Sequence, residues 1–311
     1  MKKTFFLPAA LGAGATVALH RLYRYIYYSP VGRQGDDYFF ALPHRSEGER
    51  ARSVSLIDRL NARPYERVFV TSFDGLRLAG RYFHSRDGAP LAILCHGYRG
   101  TPSRDFCGGA DVCFQAGCNV LLIEQRAHGA SEGHTISFGV NERYDVVRWA
   151  NYAVERFGSG VRIVLAGISM GATAVLMATA LPLPENVRGV IADCPFTSPR
   201  AIICEVGRQR GFPAEAVWPF AVLSARLYGG FNPNGADAAE AVKRARVPIL
   251  LIHGEDDDFV PCAMSRQIAD ANPARIEYHT FPGAGHGVSY LADTPRYTEL
   301  VKSFFERVLR E

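Results

Sequence analysis

A serine hydroxyl attacks a carbonyl only when a base takes its proton, and the base works only when a third group fixes its tautomer. Ser169 is placed for that task. It sits in Gly167-Ile168-Ser169-Met170-Gly171, between a short apolar run, Val161–Ala166, and Met170–Ala180, rich in Ala, Leu and Met. The first reads as a buried strand and the second as a helix. Glycines on both sides let strand and helix crowd together without a Cβ clash. The serine at such a turn is held in a strained conformation at the strand's C-terminal end. The helix N-terminus beside it favours negative charge developing there.

Among nine histidines, His286 has the best context for the base. It lies in Gly283-Ala-Gly285-His286-Gly287, after the last strand, so its loop shares the sheet edge that carries Ser169. His253 ends a strand and His96 begins a loop, and both read as structural. His20, His44, His84 and His279 have no supporting context. Acids follow the buried run Val247–Gly254 as Glu255-Asp256-Asp257-Asp258, four carboxylates that repel one another unless some face water and one meets a donor. The order Ser, acid, His is that of the strand-turn-helix hydrolases. An oxyanion needs backbone N–H donors already in place. The Met170 amide, directly after the nucleophile, is one candidate. The other is the Tyr98 amide in His96-Gly97-Tyr98-Arg99-Gly100, the loop after strand Leu91–Cys95.

The elements that must position these groups alternate. Two strands, Arg67–Ser72 and Leu76–His84, meet at Asp74-Gly75, a hairpin signal. Strands then alternate with helical patterns: Leu91–Cys95, a helix around Ser103–Ala116, Asn119–Glu124, a helix around Tyr144–Phe157, and the elbow's own pair. Gly189–Asp193, Pro248–Ile252, a helix near Cys262–Ala271, Ile276–Phe281 and a helix near Tyr297–Leu309 complete the chain. Such alternation predicts an α/β fold, one mostly parallel eight-stranded sheet covered by helices on both faces. Pro195–Ala236 interrupts it with six aromatic residues and five prolines. That insertion, about 196–236, is expected to form a helical cap over the sheet's C-terminal edge.

Residues 1–28 are expected to be a membrane anchor. Phe5–Leu19 is a run of fifteen uncharged residues, followed by His20, Arg21 and Arg24 interleaved with Tyr23, Tyr25, Tyr27 and Tyr28. Fifteen helical residues span only about 22 Å against a hydrocarbon core of roughly 30 Å, but interfacial tyrosines lengthen an anchor. The alternatives are a cleaved signal peptide, with Ala13-Gly14-Ala15 as its site, and an amphipathic arm on the domain. Basic residues on both sides leave the orientation open. Residues 29–65 read as a connector with one short helix near Ser53–Asn61, and 66–311 as the catalytic domain.

With 48% hydrophobic residues, 21% charged residues and a net charge of +4, the chain has an ordinary globular composition. No basic stripe supports nucleic-acid binding. Seven cysteines, none in a C-x-x-C, read as buried reduced thiols rather than a disulfide framework or a zinc site.

With HGYRG at 96–100, EQRAHGASEG at 124–133, GISMG at 167–171, HGEDDDFVP at 253–261 and GAGHG at 283–287, the chain resembles the α/β-hydrolase superfamily. It looks closest to the branch with serine aminopeptidase-like and monoacylglycerol-lipase-like members, and within it to membrane-anchored bacterial hydrolases of unassigned substrate. The likeness covers roughly Val68 to Leu309. It implies Ser169 as nucleophile and His286 as base. The family's acid follows G-x-x-D-x-x-V-P, which Gly254, Asp257, Val260 and Pro261 satisfy, so it implies Asp257, with Asp256 as the fallback. Glu124 and Ala127 depart from the family's D-x-R-G-H-G-x-S, a segment whose role is mainly structural. The expected activity is serine hydrolysis of a carboxylic ester with an apolar acyl or alcohol part, at a membrane, with no metal or organic cofactor. An amidase or aminopeptidase using Glu205 and Glu215 to hold an α-ammonium is the alternative, and a non-catalytic membrane scaffold a third reading. Epoxide hydrolases and dehalogenases carry Asp, not Ser, at the elbow.

Overall fold

The computed structural model describes residues 6–29 and 47–310, with side chains from residue 14 onward. Part of the connector, residues 30–46, lies outside the described residues. Helix α1 (Phe6–Ile26) comes first, then α2 (Glu47–Asn61). Strands β1 (Glu66–Thr71) and β2 (Arg77–Phe83) form the hairpin, with Gly75 at φ +87° in the turn. The alternation follows: β3 (Leu91–Cys95), α3 (Pro102–Asp105), α4 (Cys107–Gln115), β4 (Asn119–Ile123), α5 (Glu142–Phe157), β5 (Ile163–Ile168), α6 (Met170–Ala178) and β6 (Val187–Asp193). The insertion supplies α7 (Pro199–Gln209), α8 (Ala214–Ser224) and a π-helical turn, Ala225–Gly229. The chain closes with α9 (Ala238–Val242), β7 (Ile249–Gly254), α10 (Cys262–Ala271), β8 (Ile276–Phe281), α11 (Ser289–Ala292) and α12 (Thr294–Val308).

The strands form one eight-stranded sheet in the order β1-β2-β4-β3-β5-β6-β7-β8. β2 runs antiparallel to β1 and β4, and the rest pair in parallel. Side chains alternate between the two faces, as a strand's period of two requires. Leu91, Ile93 and Cys95 of β3 join Trp149, Ala172 and Ile268 on one face. Ala92 and Leu94 join Val112, Phe304 and Phe305 on the other. Because both faces are covered, every residue of β3, β4 and β7 is buried, and these strands read as continuous apolar runs.

The helix expected around Ser103–Ala116 is two helices. The chain bends at Phe106 (φ −112°, ψ 18°), next to Asp105, whose carboxylate turns inward to accept the Gly97 N–H at 2.7 Å. The connector's helix begins earlier than expected, at Glu47, and buries Leu56, Ile57 and Leu60 against the domain.

The expected membrane anchor is not what the segment forms. Among the described residues no helix is long and apolar enough to cross a membrane. Two of the tyrosines assigned to a lipid interface, Tyr23 and Tyr27, are buried against the domain instead. Tyr27 is 0% exposed, edge-on to Phe138 and Phe231. The Tyr23 hydroxyl bonds Thr135 Oγ1 at 2.7 Å, and Ile136 N donates to Tyr27 O at 2.8 Å. Leu22 and Ile26 pack on Trp218 and Cys204 of the insertion. The uncharged run was already short for a bilayer, and the helix continues into a polar, basic turn that solvates one side while the aromatic side docks.

Candidate active site

The turn that carries Ser169 is built by close approach. A Cβ on Gly171 would stand 1.9 Å from the Cys95 carbonyl oxygen, and one on Gly167 would stand 2.3 Å from the Gly171 carbonyl. Only hydrogen fits at either place, so the two glycines let α6 start directly against β3 and β5. Ser169 sits between them at φ 54°, ψ −117°, a conformation that costs a non-glycine residue about 1–3 kcal/mol. Its neighbours in the sheet hold it there, with Ser169 N donating to Asp193 O at 2.8 Å.

Asp257 and His286 arrive on two loops laced together by their backbones. Glu255 N donates to Phe281 O and Asp256 N to Ala284 O, each at 3.0 Å. A Cβ on Gly254 would lie 2.2 Å from Ala284 O, so this contact too requires glycine. The lacing sets the His286 imidazole between its partners: Nδ1 donates to Asp257 Oδ2 at 2.7 Å, and Nε2 faces Ser169 Oγ at 3.0 Å. With Nδ1 carrying the proton, Nε2 is free to accept the serine's. The other oxygen of Asp257 accepts Phe259 N at 3.0 Å and Val260 N at 2.8 Å. Asp256, the expected fallback for the acid, is exposed.

The loop after β3 runs alongside the serine. A Cβ on Gly97 would lie 3.4 Å from the Ser169 Cβ. Gly97 N donates to Asp105, Arg99 N to His128 Nε2 at 3.1 Å, and Gly100 N to Gly97 O at 3.1 Å. His96 and His128 beneath it meet edge-on at 4.7 Å between ring centroids. Burial holds them down at about 4 and about 3, so both imidazoles are neutral at neutral pH. Met170, first residue of α6, presents a helix N-terminal N–H with no intrahelical acceptor.

A family model described as "Alpha/beta hydrolase family" matches residues 92–299, the span that holds every group just described. The chain belongs to the alpha/beta hydrolase family. Among curated proteins it is 23% identical to the uncharacterized protein YqkD of Bacillus subtilis over 240 residues, 77% of this chain and 78% of that one. It is also 23% identical to the alpha/beta hydrolase domain-containing protein WAV2 of Arabidopsis thaliana over 202 residues, 62% of each chain. Among solved structures, the Pyrococcus furiosus esterase Pf2001 superposes with a TM-score of 0.67 at 20% identity, covering 81% of this chain and 94% of that one. Est1E of Butyrivibrio proteoclasticus, solved with ferulic acid bound, gives a TM-score of 0.61 at 20% identity, covering 78% and 100%. These likenesses carry the fold.

In this alpha/beta hydrolase the electrostatics around His286 follow from its two carboxylate neighbours. Burial works against the cationic imidazole, but the charge and hydrogen bond of Asp257, with Asp193 beyond, outweigh it and raise its pKa above 6.5. Burial also disfavours the charged form of Asp257. The His286 charge and the bonds from His253 and His286 overcome this and hold the carboxyl well below the usual range. Asp193, buried at the end of β6 and accepting the Ser289 hydroxyl at 3.3 Å, is pushed up to about 6 by burial.

His253, which reads in sequence as a plain strand-end residue, touches Asp257. Its Nε2 is 2.9 Å from Val260 O, an acceptor only, so Nε2 carries a proton shared with Asp257 Oδ2 at 3.1 Å. Its Nδ1 meets Ser265 Oγ at 2.6 Å. The available signal was the spacing: His253 and Asp257 flank a tight turn, four residues apart. All seven cysteines are free thiols, and Cys194 lies beside the site at φ 47°. Its sulfur and the ligating atoms of Asp257 and His286 fall within 4.8 Å of one another, a donor set able to hold a soft cation. An ion there would take the atoms through which Asp257 orients His286. Glu124, where the family's pattern has Asp, accepts from Arg67 at 2.5 Å and Arg81 at 3.3 Å. Ala127, where that pattern has Gly, stands at φ 63°.

Proposed function

We propose that this protein is a serine hydrolase that cleaves carboxylic esters with an apolar acyl or alcohol part through a Ser169-His286-Asp257 acyl-enzyme mechanism. The observation that carries the reading is one imidazole bridging a hydroxyl at 3.0 Å and a buried carboxylate at 2.7 Å, with the hydroxyl on a strained turn. Ser169 Oγ attacks the ester carbonyl as its proton passes to His286 Nε2. The negative oxygen is held by the Tyr98 and Met170 amides, and Asp257 stabilises the imidazolium. His286 then protonates the departing alcohol. Water, deprotonated by the same nitrogen, releases the acid and restores Ser169. The insertion acts as a cap. Its Ile202 lies in one apolar cluster with Met170, Phe196, Phe138 and Val260, which favours an apolar substrate part next to the elbow.

An aminopeptidase would need a free carboxylate for an α-ammonium. Glu205 is paired with Arg208 at 2.8 Å and Glu215 with Arg200 at 3.0 Å, so each already faces an arginine of α7. This favours the ester reading. The test is a fluorophosphonate probe with a panel of p-nitrophenyl esters and aminoacyl amides. The wild type should label and turn over esters, and Ser169→Ala should do neither. Labelling that survives in Ser169→Ala places the nucleophile elsewhere, and turnover confined to the amides replaces the ester with the amide reading.

A further inference from the structure

The oxyanion loop is fixed below by Asp105, at Gly97 N, and on its flank by His128, at Arg99 N. Its outer side is held by α1. The Tyr98 hydroxyl donates to Ile26 O at 2.8 Å, and Arg99 Nη2 donates to Tyr25 O and Tyr28 O, each at 3.1 Å. Those carbonyls lie in and just past the last turn of α1, where a helix leaves its C=O groups without internal partners and the macrodipole is negative. A guanidinium and a phenol from the loop satisfy them. Arg99 also folds back over the Tyr98 ring, 4.9 Å from its centroid, and its backbone sits at φ 49°, a strained setting that surrounding contacts must enforce. The Tyr98 ring stacks on Phe138 at 4.9 Å, and Phe138 meets Tyr27 edge-on at 5.9 Å. The helix is in turn pinned to the domain by the Ile136 N to Tyr27 O and Ser29 N to His134 O bonds, 2.8 and 2.9 Å.

We infer that the last turn of α1 is a positioning element of the active site, holding the oxyanion loop in register with Ser169 through Arg99 and the Tyr98 hydroxyl. This rests on the ester-hydrolase reading and on the Tyr98 amide as an oxyanion donor. It extends the catalytic apparatus beyond residues 92–299, which the family model spans, to a segment near the N-terminus. The chemical reason is that an oxyanion donor is useful only when aimed before charge develops. A misplacement near 1 Å costs roughly 100-fold in rate, and loss of a donor about 10²–10³.

The full-length chain carries the test. Tyr98→Phe deletes one oxygen and leaves the ring stack, and Arg99→Ala and Arg99→Lys remove or shorten the second tie. Each variant is measured for kcat and KM on a p-nitrophenyl ester, fluorophosphonate inactivation rate and thermal midpoint. The expected result is a fall in kcat and in inactivation rate of roughly 10-fold for Tyr98→Phe and up to 100-fold for Arg99→Ala. KM should stay within about twofold, and Arg99→Lys should recover part of the loss. Wild-type kcat in both Tyr98→Phe and Arg99→Ala overturns the inference, as does a loss that tracks the thermal midpoint alone. A wild type that neither labels nor turns over ester defeats the underlying function reading instead, so the two failures are distinguishable.

Discussion

Replacing Asp257 by Asn changes one atom, and the surrounding bonds decide where that atom goes. Oδ1 accepts two backbone N–H groups, Phe259 at 3.0 Å and Val260 at 2.8 Å. An amide nitrogen cannot accept there, so the Asn carbonyl must keep that place and the NH₂ must face His286 Nδ1 and His253 Nε2. Facing a donor, Nδ1 turns acceptor and the imidazole proton moves to Nε2, 3.0 Å from Ser169 Oγ. The base then presents a proton where it must take one. Loss of the working tautomer costs on the order of 10⁴ in kcat, about 5.5 kcal/mol at 1.36 kcal/mol per tenfold. Steady-state kinetics of Asp257→Asn on a p-nitrophenyl ester, with Asp256→Asn and Asp193→Asn alongside, is the assay. Asp257→Asn should lose about four decades in kcat with KM little changed. Asp256→Asn, whose side chain is exposed, should match the wild type. If Asp257→Asn stays within tenfold of wild type while Asp193→Asn collapses, the acid is at the end of β6 and the assignment is refuted.

Two further outcomes follow from the same site. A general base must be neutral to act, and Asp257 and Asp193 raise the pKa of His286. The acid limb of kcat/KM should therefore fall off below a midpoint above 6.5, and the residual activity of Asp257→Asn should carry that limb to lower pH. A limb that does not move shows that Asp257 does not set the charge of His286. His253→Phe removes a donor to a buried carboxylate, an interaction of about 1.5–3 kcal/mol, and strands the Val260 carbonyl and Ser265 hydroxyl. It should lower kcat roughly 10–100-fold and lower the thermal midpoint, with His253→Gln recovering part of both. Unchanged kinetics make His253 a packing residue.

What the sequence reveals here is what local backbone chemistry decides. Gly167, Ser169 and Gly171 announce the elbow because contacts of 1.9 and 2.3 Å exclude any side chain, and a requirement that strict is written in residue type. His286 is legible for a related reason, since its loop is glycine-rich where Gly254 and Ala284 nearly touch. Asp257 was harder. Four adjacent acids have the same chemistry in one dimension, and what separates Asp257 is that its oxygens meet two amides and two imidazoles contributed by the fold. The part played by His253 was invisible for the same reason.

The misread N-terminal helix shows where composition stops being informative. A lipid interface and the aromatic rim of a protein both select tyrosine, apolar residues and a flanking arginine, so hydropathy and residue counts score the two alike. They differ in angular distribution. Tyr23 and Tyr27 lie four residues apart, on one face, and both are buried, while Tyr25, half a turn away, is 54% exposed. A helix surrounded by lipid has no reason to sort its tyrosines by side, whereas one lying on a domain must. The sorted face meets Phe138, Phe231 and the insertion's Trp218, and the helix end meets Tyr98 and Arg99. That sorting ties the segment to the loop beside Ser169, and a chain cut after residue 29 would leave Tyr98 and Arg99 with none of these carbonyl acceptors.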